Sequence, residues 1–363
     1  MNHPDISTLG DLDTPALLLE LGALESNLER MAAFFTNRPC RLRPHFKSHK
    51  CTRIARKQMA AGASGITCAK LGEAEVVAEA GIQDILIANQ IVGRRKIDRL
   101  IALAKRARPM VAADSAENVR MLSAAAAAAG VTLGVLVEVD IGMNRCGVKP
   151  GQPAVELARL IASSPGLKFE GLQSYEGHLV DLRDEVERAE KTRAAQGLAV
   201  ETRRAIERSG IPVHLVTGGG TGTYTITGDY PGVDEVQAGS YAAMDWWYSD
   251  IRPEFQQAMS ILATIVSRPA PNEAIVDVGR KGIGAEFGPP RIKAVPGASV
   301  VRFGSEEHTA VELPPGSGLR VGDQLELIPS HGCTTSNLYR EFVVHRRGVV
   351  EELWPIEGSG KLQ

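Results

Sequence analysis

Four short stretches of this chain carry side chains whose types and spacing could do chemistry. LRPHFKSHK (42–50) places Lys47 just past the alternating run CRLRPHF, where an amine held at a strand end can bind a carbonyl covalently. VEVDIGMNRCG (137–147) places Arg145 in a glycine-bounded turn beyond the acidic strand end Glu138-Val139-Asp140. TGGGTGTY (217–224) has four glycines in a row of six residues, leaving backbone N–H groups unshielded so that the loop can wrap an anion such as a phosphate. AGSYAAMD (238–245) adds a second small-residue turn followed by two hydroxyls, Ser240 and Tyr241. The glycine loop lacks the Lys-Ser/Thr of a nucleotide-triphosphate loop, which disfavours that ligand. An amine, an arginine and a phosphate cup together suit an aldehyde cofactor bearing a phosphate, pyridoxal 5'-phosphate bound as a Schiff base.

A fifth stretch, SHGCTTSNLY (330–339), holds His331 and Cys333 two residues apart. On an extended segment they project to one face and can share an ion, and a thiolate with an imidazole favours zinc over magnesium or calcium. Two protein ligands leave positions open for water or substrate, which is the pattern of a catalytic site.

Groups this far apart in sequence need a scaffold that brings strand ends to one mouth. From Cys40 onward, short β-branched or apolar runs alternate with Ala/Leu/Arg/Glu-rich stretches in the rhythm of repeated βα units. Eight strands are expected, at 40–46, 65–69, 84–89, 109–114, 134–140, 169–175, 212–218 and 233–239. Helices are expected at 71–81, 92–107 and 181–210, each with apolar spacing or a terminal glycine to mark it. Only the link between the seventh and eighth strands lacks room for a full helix. The fold class expected is therefore α/β, a (β/α)8 TIM barrel with its reactive groups on the loops after the strands, those after strands seven and eight being the common phosphate site. After about Met259 the texture changes to β-rich runs with Pro/Gly turns, joined by TPALLLEL (14–21). The expected division is a barrel over 22–258 and a mainly β domain from 1–21 plus 259–363.

Composition narrows the partners. Forty-one basic and 43 acidic residues in 363 give a net charge of −2, with the signs interleaved, so no basic stripe for nucleic acid is expected. The N-terminus shows no basic-then-apolar leader, and the alanine run 124–129 is far too short to cross a bilayer, so a soluble cytoplasmic protein is expected. Five scattered cysteines are read as free thiols, with a metal ligand among them.

The motifs DLDTPALLLEL, RPHFKSHK, VEVDIGMNRCGV, GLQSYEGH, VTGGGTGTY, VQAGSYAAMD, SHGCTTSNLY and ELWPIEGSG together resemble the pyridoxal-phosphate enzymes of the alanine-racemase fold. The resemblance is to the branch holding D-threonine aldolase, D-serine dehydratase and 3-hydroxy-D-aspartate enzymes, and it runs from about Asp13 to Trp354. It implies that Lys47, not Lys50, carries the cofactor, that Arg145 contacts its phenolate side, and that Tyr175 lines its ring. It also implies that Gly219, Gly220, Thr221, Gly239, Ser240 and Tyr241 bind the cofactor's phosphate end, and that His331 and Cys333 bind a divalent metal, zinc or manganese. The activity implied is cleavage of a D-3-hydroxy amino acid into glycine and an aldehyde. The alternative is dehydration of D-serine or D-threo-3-hydroxyaspartate to an oxo acid and ammonia. In this family aldolases tend to carry His-x-Asp and dehydratases His-x-Cys, so Cys333 pulls toward the alternative. His178 is a candidate base for the hydroxyl proton, an imidazole being suited to proton transfer at neutral pH. An amino-acid racemase is less favoured because the β-domain tyrosine motif it needs is not evident. A non-catalytic cofactor carrier is less favoured because it would need no metal. A homodimer is implied by the resemblance. Ala69, in place of the family's glutamine, and the pair Trp246-Trp247 depart from its pattern.

Overall fold

The computed structural model describes residues 7–363; the first six residues of the expected 1–21 segment lie outside them. The chain forms two compact units: Met31–Lys47, Ile54–Gly239 and Lys361–Gln363 make one, and the described part of Met1–Arg30, Ser48–Arg53 and Ser240–Gly360 make the other.

In chain order the segments begin with β1 (Ala16–Glu20) and α1 (Leu21–Phe35). The first unit then alternates β2 (Arg41–Leu42), α2 (Thr52–Ala60), β3 (Ile66–Cys68), α3 (Leu71–Glu79), β4 (Asp84–Gln90), α4 (Arg94–Ala104), β5 (Arg108–Ala113), α5 (Ala116–Ala129), β6 (Leu133–Glu138), α6 (Gln152–Ser163), β7 (Leu167–Ser174), α7 (Glu185–Arg208), β8 (Leu215–Gly218), α8 (Tyr224–Gly228) and β9 (Glu235–Val236). All neighbouring pairs are parallel, in the order β2-β9-β8-β7-β6-β5-β4-β3. A bridge from His45 to Thr67, with the Thr67 N–H donating to Pro44 O at 2.9 Å, joins β2 to β3 and closes the barrel. Parallel strands covered on both faces must be apolar throughout, which is why β6 reads LGVLVE and is buried at five of six positions.

The strand expected at 40–46 is only Arg41–Leu42 plus that bridge, because Pro44 has no N–H to give to a ladder. The helix expected from 181 starts at Glu185, where Asp184 caps it by accepting the Glu187 N–H at 2.8 Å. The link between the last two strands holds the short turn α8.

Inside the barrel Arg43 is buried and is held by Glu235 at 2.6 and 2.9 Å and by Asp84 at 2.6 Å. Gly65 leaves the room: a Cβ there would lie 2.1 Å from Arg43 Nη1. Removing one member of a buried ion pair strands the other's charge, so Glu235→Ala is expected to lower unfolding free energy by about 3–5 kcal/mol in urea titrations.

The second unit contains, besides β1, the short helix α9 (Trp246–Ser249) and then β10 (Met259–Ala270), β11 (Glu273–Val276), β12 (Arg291–Lys293), β13 (Ser299–Phe303), β14 (Thr309–Glu312), β15 (Gln324–Ile328), α10 (Gly332–Ser336), β16 (Glu341–Arg346) and β17 (Val349–Pro355). Its strands form one sheet in the order β13-β14-β11-β10-β1-β16-β17, with β15 also pairing β10 and β12. β1 runs antiparallel to β10 and parallel to β16, so the N-terminal strand is built into the middle of the sheet. Among the described residues no helix is long and apolar enough to cross a membrane.

Candidate active site

Lys47 lies on the single 3-10 turn Phe46–Ser48 that follows the His45 bridge. His45 and Phe46 are buried and Lys47 is half-buried, so the backbone around the amine is pinned while the amine stays accessible. Its Nζ stands 5.9 Å from the centre of the Tyr175 ring, and the Arg145 guanidinium stands 5.5 Å from the same ring. Both distances fall within reach of a cation–π attraction. Lys50, in the other unit, takes a left-handed backbone (φ 55°) and directs its buried Nζ to Gly358 O at 3.4 Å. Lys47 is thus the half-buried amine beside the Tyr175 ring, whereas Lys50 is buried.

Tyr175 follows β7 directly, and its position depends on Gly177, where a Cβ would lie 2.4 Å from Tyr175 Cε1. Arg145 sits in the loop after β6, 3.8 Å from Glu138, whose carboxyl burial pushes above the usual range despite the Gln90 amide and Arg145. His178 is exposed, and its Nε2 would be 3.1 Å from a Cβ at Gly142, so the imidazole rests on the loop after β6.

The glycine loop after β8 is organised by a carboxylate that sequence reasoning quoted without a role. Glu176, fully buried, accepts hydrogen bonds from Gly219 N at 3.1 Å, Thr223 Oγ1 at 2.8 Å, Thr227 Oγ1 at 2.6 Å and Gln196 Nε2 at 2.9 Å. Gly220 N–H in turn meets Thr223 Oγ1 at 3.2 Å. Gly219 and Gly220 thus offer an anion a close, side-chain-free approach more than free donors. Gly219 has a φ of 72°, and at Gly222 a Cβ would collide with Val180 O at 1.6 Å. Thr221 is buried in the same loop, and Gly239 ends the unit's long Ile54–Gly239 segment after β9. Glu176→Gln turns one acceptor oxygen into a donor facing donors. It is expected to weaken pyridoxal-phosphate binding about tenfold in a cofactor titration, as loss of one well-made charged hydrogen bond should.

In the second unit Ser240 and Tyr241 part company. The Tyr241 ring is in the core beside Phe255, at 5.8 Å between centres, whereas Ser240 Oγ is 4.0 Å from Cys333 Sγ. Cys333 Sγ is also 3.5 Å from Ser48 Oγ.

The His331–Cys333 pair is not on an extended segment as its spacing suggested. His331 caps α10 and Cys333 lies in that helix's first turn. The turn is fastened by Asp245, a buried carboxylate in the loop before α9 that accepts Gly332 N–H at 2.9 Å, and by Thr335 Oγ1, which donates to His331 O at 2.7 Å. Burial raises the Asp245 carboxyl, against its two backbone donors, Gly332 and Tyr248. Burial also opposes charge on His331, but Cys333, Asp245 and Glu286 outweigh it and push the imidazole up to about 9. His331 Nδ1 is buried and has no hydrogen-bond partner among the described residues, and no group of three His, Cys, Asp or Glu residues gathers there. An orphaned imidazole nitrogen beside a thiol fits a borderline-soft divalent cation with open positions. The half-buried amine, the flanking tyrosine and the Cβ-free loop likewise fit pyridoxal phosphate. Glu176 and Asp245 lie inside the quoted stretches GLQSYEGH and VQAGSYAAMD, but nothing in their local sequence signals which donors each carboxylate accepts from.

Residues 19–245 match the family model "Alanine racemase, N-terminal domain", and residues 258–345 match "Putative serine dehydratase domain". The chain is 42% identical over 357 residues to a D-threonine aldolase from Arthrobacter sp, covering 97% of this chain and 94% of that one. The crystal structure of a D-threonine aldolase from Filomicrobium marinum superposes with a TM-score of 0.95 at 41% identity, covering 99% of each chain. A D-threo-3-hydroxyaspartate dehydratase, solved as a cysteine-to-alanine mutant in the metal-free form, superposes with a TM-score of 0.85 at 27% identity, covering 96% of this chain and 98% of that one.

Proposed function

Because the chain belongs to the alanine-racemase-fold family, in the branch of the D-threonine aldolases and D-serine dehydratase-like proteins, we propose that it is a lyase cleaving D-3-hydroxy amino acids into glycine and an aldehyde. Lys47 carries pyridoxal phosphate in this reading, and His331 with Cys333 holds a divalent metal, zinc before manganese because of the thiolate. Bound there, the cofactor supplies an electron sink for the charge left on Cα and the metal acidifies the β-hydroxyl. Tyr175, with Lys47 at 5.9 Å and Arg145 at 5.5 Å from its ring centre, would line the cofactor's ring. Arg145 supplies positive charge at the phenolate side, with Glu138 holding it in place. Gly219, Gly220, Thr221, Gly239 and Ser240, together with the backbone at Tyr241, receive the phosphate end, and Glu176 keeps the glycine loop in shape. His178 accepts the hydroxyl proton as the Cα–Cβ bond breaks. The protein works as a cytoplasmic homodimer on a small-molecule substrate, without nucleic acid or membrane partners, and sedimentation at working concentration checks the dimer.

The observation that carries this reading is His331: its buried Nδ1 has no hydrogen-bond partner among the described residues, and it shares a helical turn with Cys333. The test is product analysis with D-threonine. Acetaldehyde and glycine in equal amounts support the aldolase; 2-oxobutyrate and ammonia support the dehydratase reading that Cys333 favours; neither pair sinks both.

A further inference from the structure

Arg145 stands in the loop after β6 with its side chain 48% open to solvent, and its ion-pair contact among the described residues is Glu138 at 3.8 Å. A long, half-exposed side chain keeps many rotamers open unless its partner is itself fixed. What fixes Glu138 comes from two further strands. Gln90 ends β4, Asp114 directly follows β5, and Glu138 ends β6. The Gln90 amide nitrogen donates to Glu138 Oε2 at 2.5 Å and to Asp114 Oδ2 at 3.2 Å. The same Asp114 oxygen accepts the Gly147 N–H at 3.0 Å, two residues beyond Arg145. The guanidinium is therefore tied through Glu138 and its backbone through Asp114, and one amide joins the two carboxylates. Gln90 reaches them because β4 is irregular at its end: Ile87 pairs with Val111 and the next pair is Gln90 with Ala112, which leaves Ala88 and Asn89 extra. Asn89 braces this bulge, its Oδ1 accepting the Gln90 N–H at 3.0 Å and its Nδ2 donating to Ala69 O at 2.9 Å. Bulges of this kind re-aim a side chain at a barrel rim.

We propose that Gln90 is a positioning residue for Arg145: its amide fixes Glu138, and through Glu138 the guanidinium, where the cofactor's phenolate comes to lie. This role rests on the pyridoxal-phosphate reading of the site, in which Arg145 meets that phenolate. Burial raises the Glu138 carboxyl and the Asp114 charge adds to the effect, whereas the Gln90 amide leads the groups that favour the carboxylate, ahead of Arg145. A neutral Glu138 would draw the guanidinium far less. An amide NH2 carries two hydrogens, so both carboxylates are served without a second cation competing with Arg145.

The test is a double-mutant cycle on the full chain, read by pyridoxal-phosphate titration and by the visible absorbance maximum of the bound cofactor. Its members are Gln90→Met, which keeps the length and removes the donor, Arg145→Ala, and the two combined. Gln90→Met is expected to weaken the cofactor about fivefold when Arg145 is present and less than about twofold when it is not, because contacts made in series do not add. It should also move the absorbance maximum in the same direction as Arg145→Ala. Gln90→Asn, one carbon too short for Glu138 but still an amide, should repeat both effects and decides the matter if Gln90→Met does not fold. Equal weakening in the two backgrounds, as a general folding defect would cause, overturns the inference. So does an unchanged Kd, or an absorbance maximum that answers to Arg145 and ignores Gln90. If the unaltered protein binds no pyridoxal phosphate, the reading of the site falls and takes this role with it; a cofactor that binds and ignores only Gln90 overturns this role alone.

Discussion

Lys47→Ala is expected to lower kcat/KM on D-threonine by at least about a thousandfold, because a covalent anchor acts as a unit with the group it carries. The visible absorbance of the bound cofactor should change with it. Borohydride reduction of the unaltered protein should leave the cofactor on the peptide containing Lys47, with no label on Lys50. The structural basis is the difference between the two amines: Lys47 faces Tyr175 across 5.9 Å, whereas Lys50 is buried with its Nζ directed to Gly358 O. Lys50→Ala should therefore keep the absorbance and lose stability, and a reduced label on Lys50 would contradict the assignment.

Chelation is the second large effect. Treatment with a strong chelator should remove at least about 99% of the activity and restoring zinc or manganese should return it, since an open catalytic site holds its ion through only two side chains. His331→Ala and Cys333→Ala should each weaken metal binding by more than the about 10–100-fold that loss of a supporting partner causes. Cys333→Asp keeps a ligand and tests the choice of reaction: a larger share of glycine and acetaldehyde would tie the residue to the product, and an unchanged share would separate the two. Asp245→Asn is expected to fall in the about 10–100-fold range, because it acts on the His331–Cys333 turn through Gly332. A chelator-insensitive enzyme would remove the metal from the reaction.

The barrel was legible because its signals are local. Strands covered on both faces show as apolar runs, and the charged, periodic α7 with Asp184 at its start shows as a helix. Strand lengths were less legible: β2 and β9 shrink to two residues each, since Pro44 and the short link through α8 limit the ladder. The hydrogen-bond hub at Glu176 could not be read at all. Its partners Gln196, Gly219, Thr223 and Thr227 lie 20 to 51 residues away, and no local pattern announces which oxygen meets which donor.

The sequence by itself determined the alternation of strands and helices, the amine at the end of the first barrel strand, the glycine loop after the seventh, and the His-x-Cys spacing. Each depends on a few neighbouring residues and their backbone preferences. The tertiary structure alone decided that His45 and Thr67 close the barrel, that Glu176 holds the glycine loop, and that Tyr241 is core while Ser240 reaches Cys333. It also decided that His331 and Cys333 share a helical turn fastened by Asp245 and flanked by Phe287. These are contacts between residues far apart in the chain, and which of them form depends on the path of the whole backbone, which no short stretch contains.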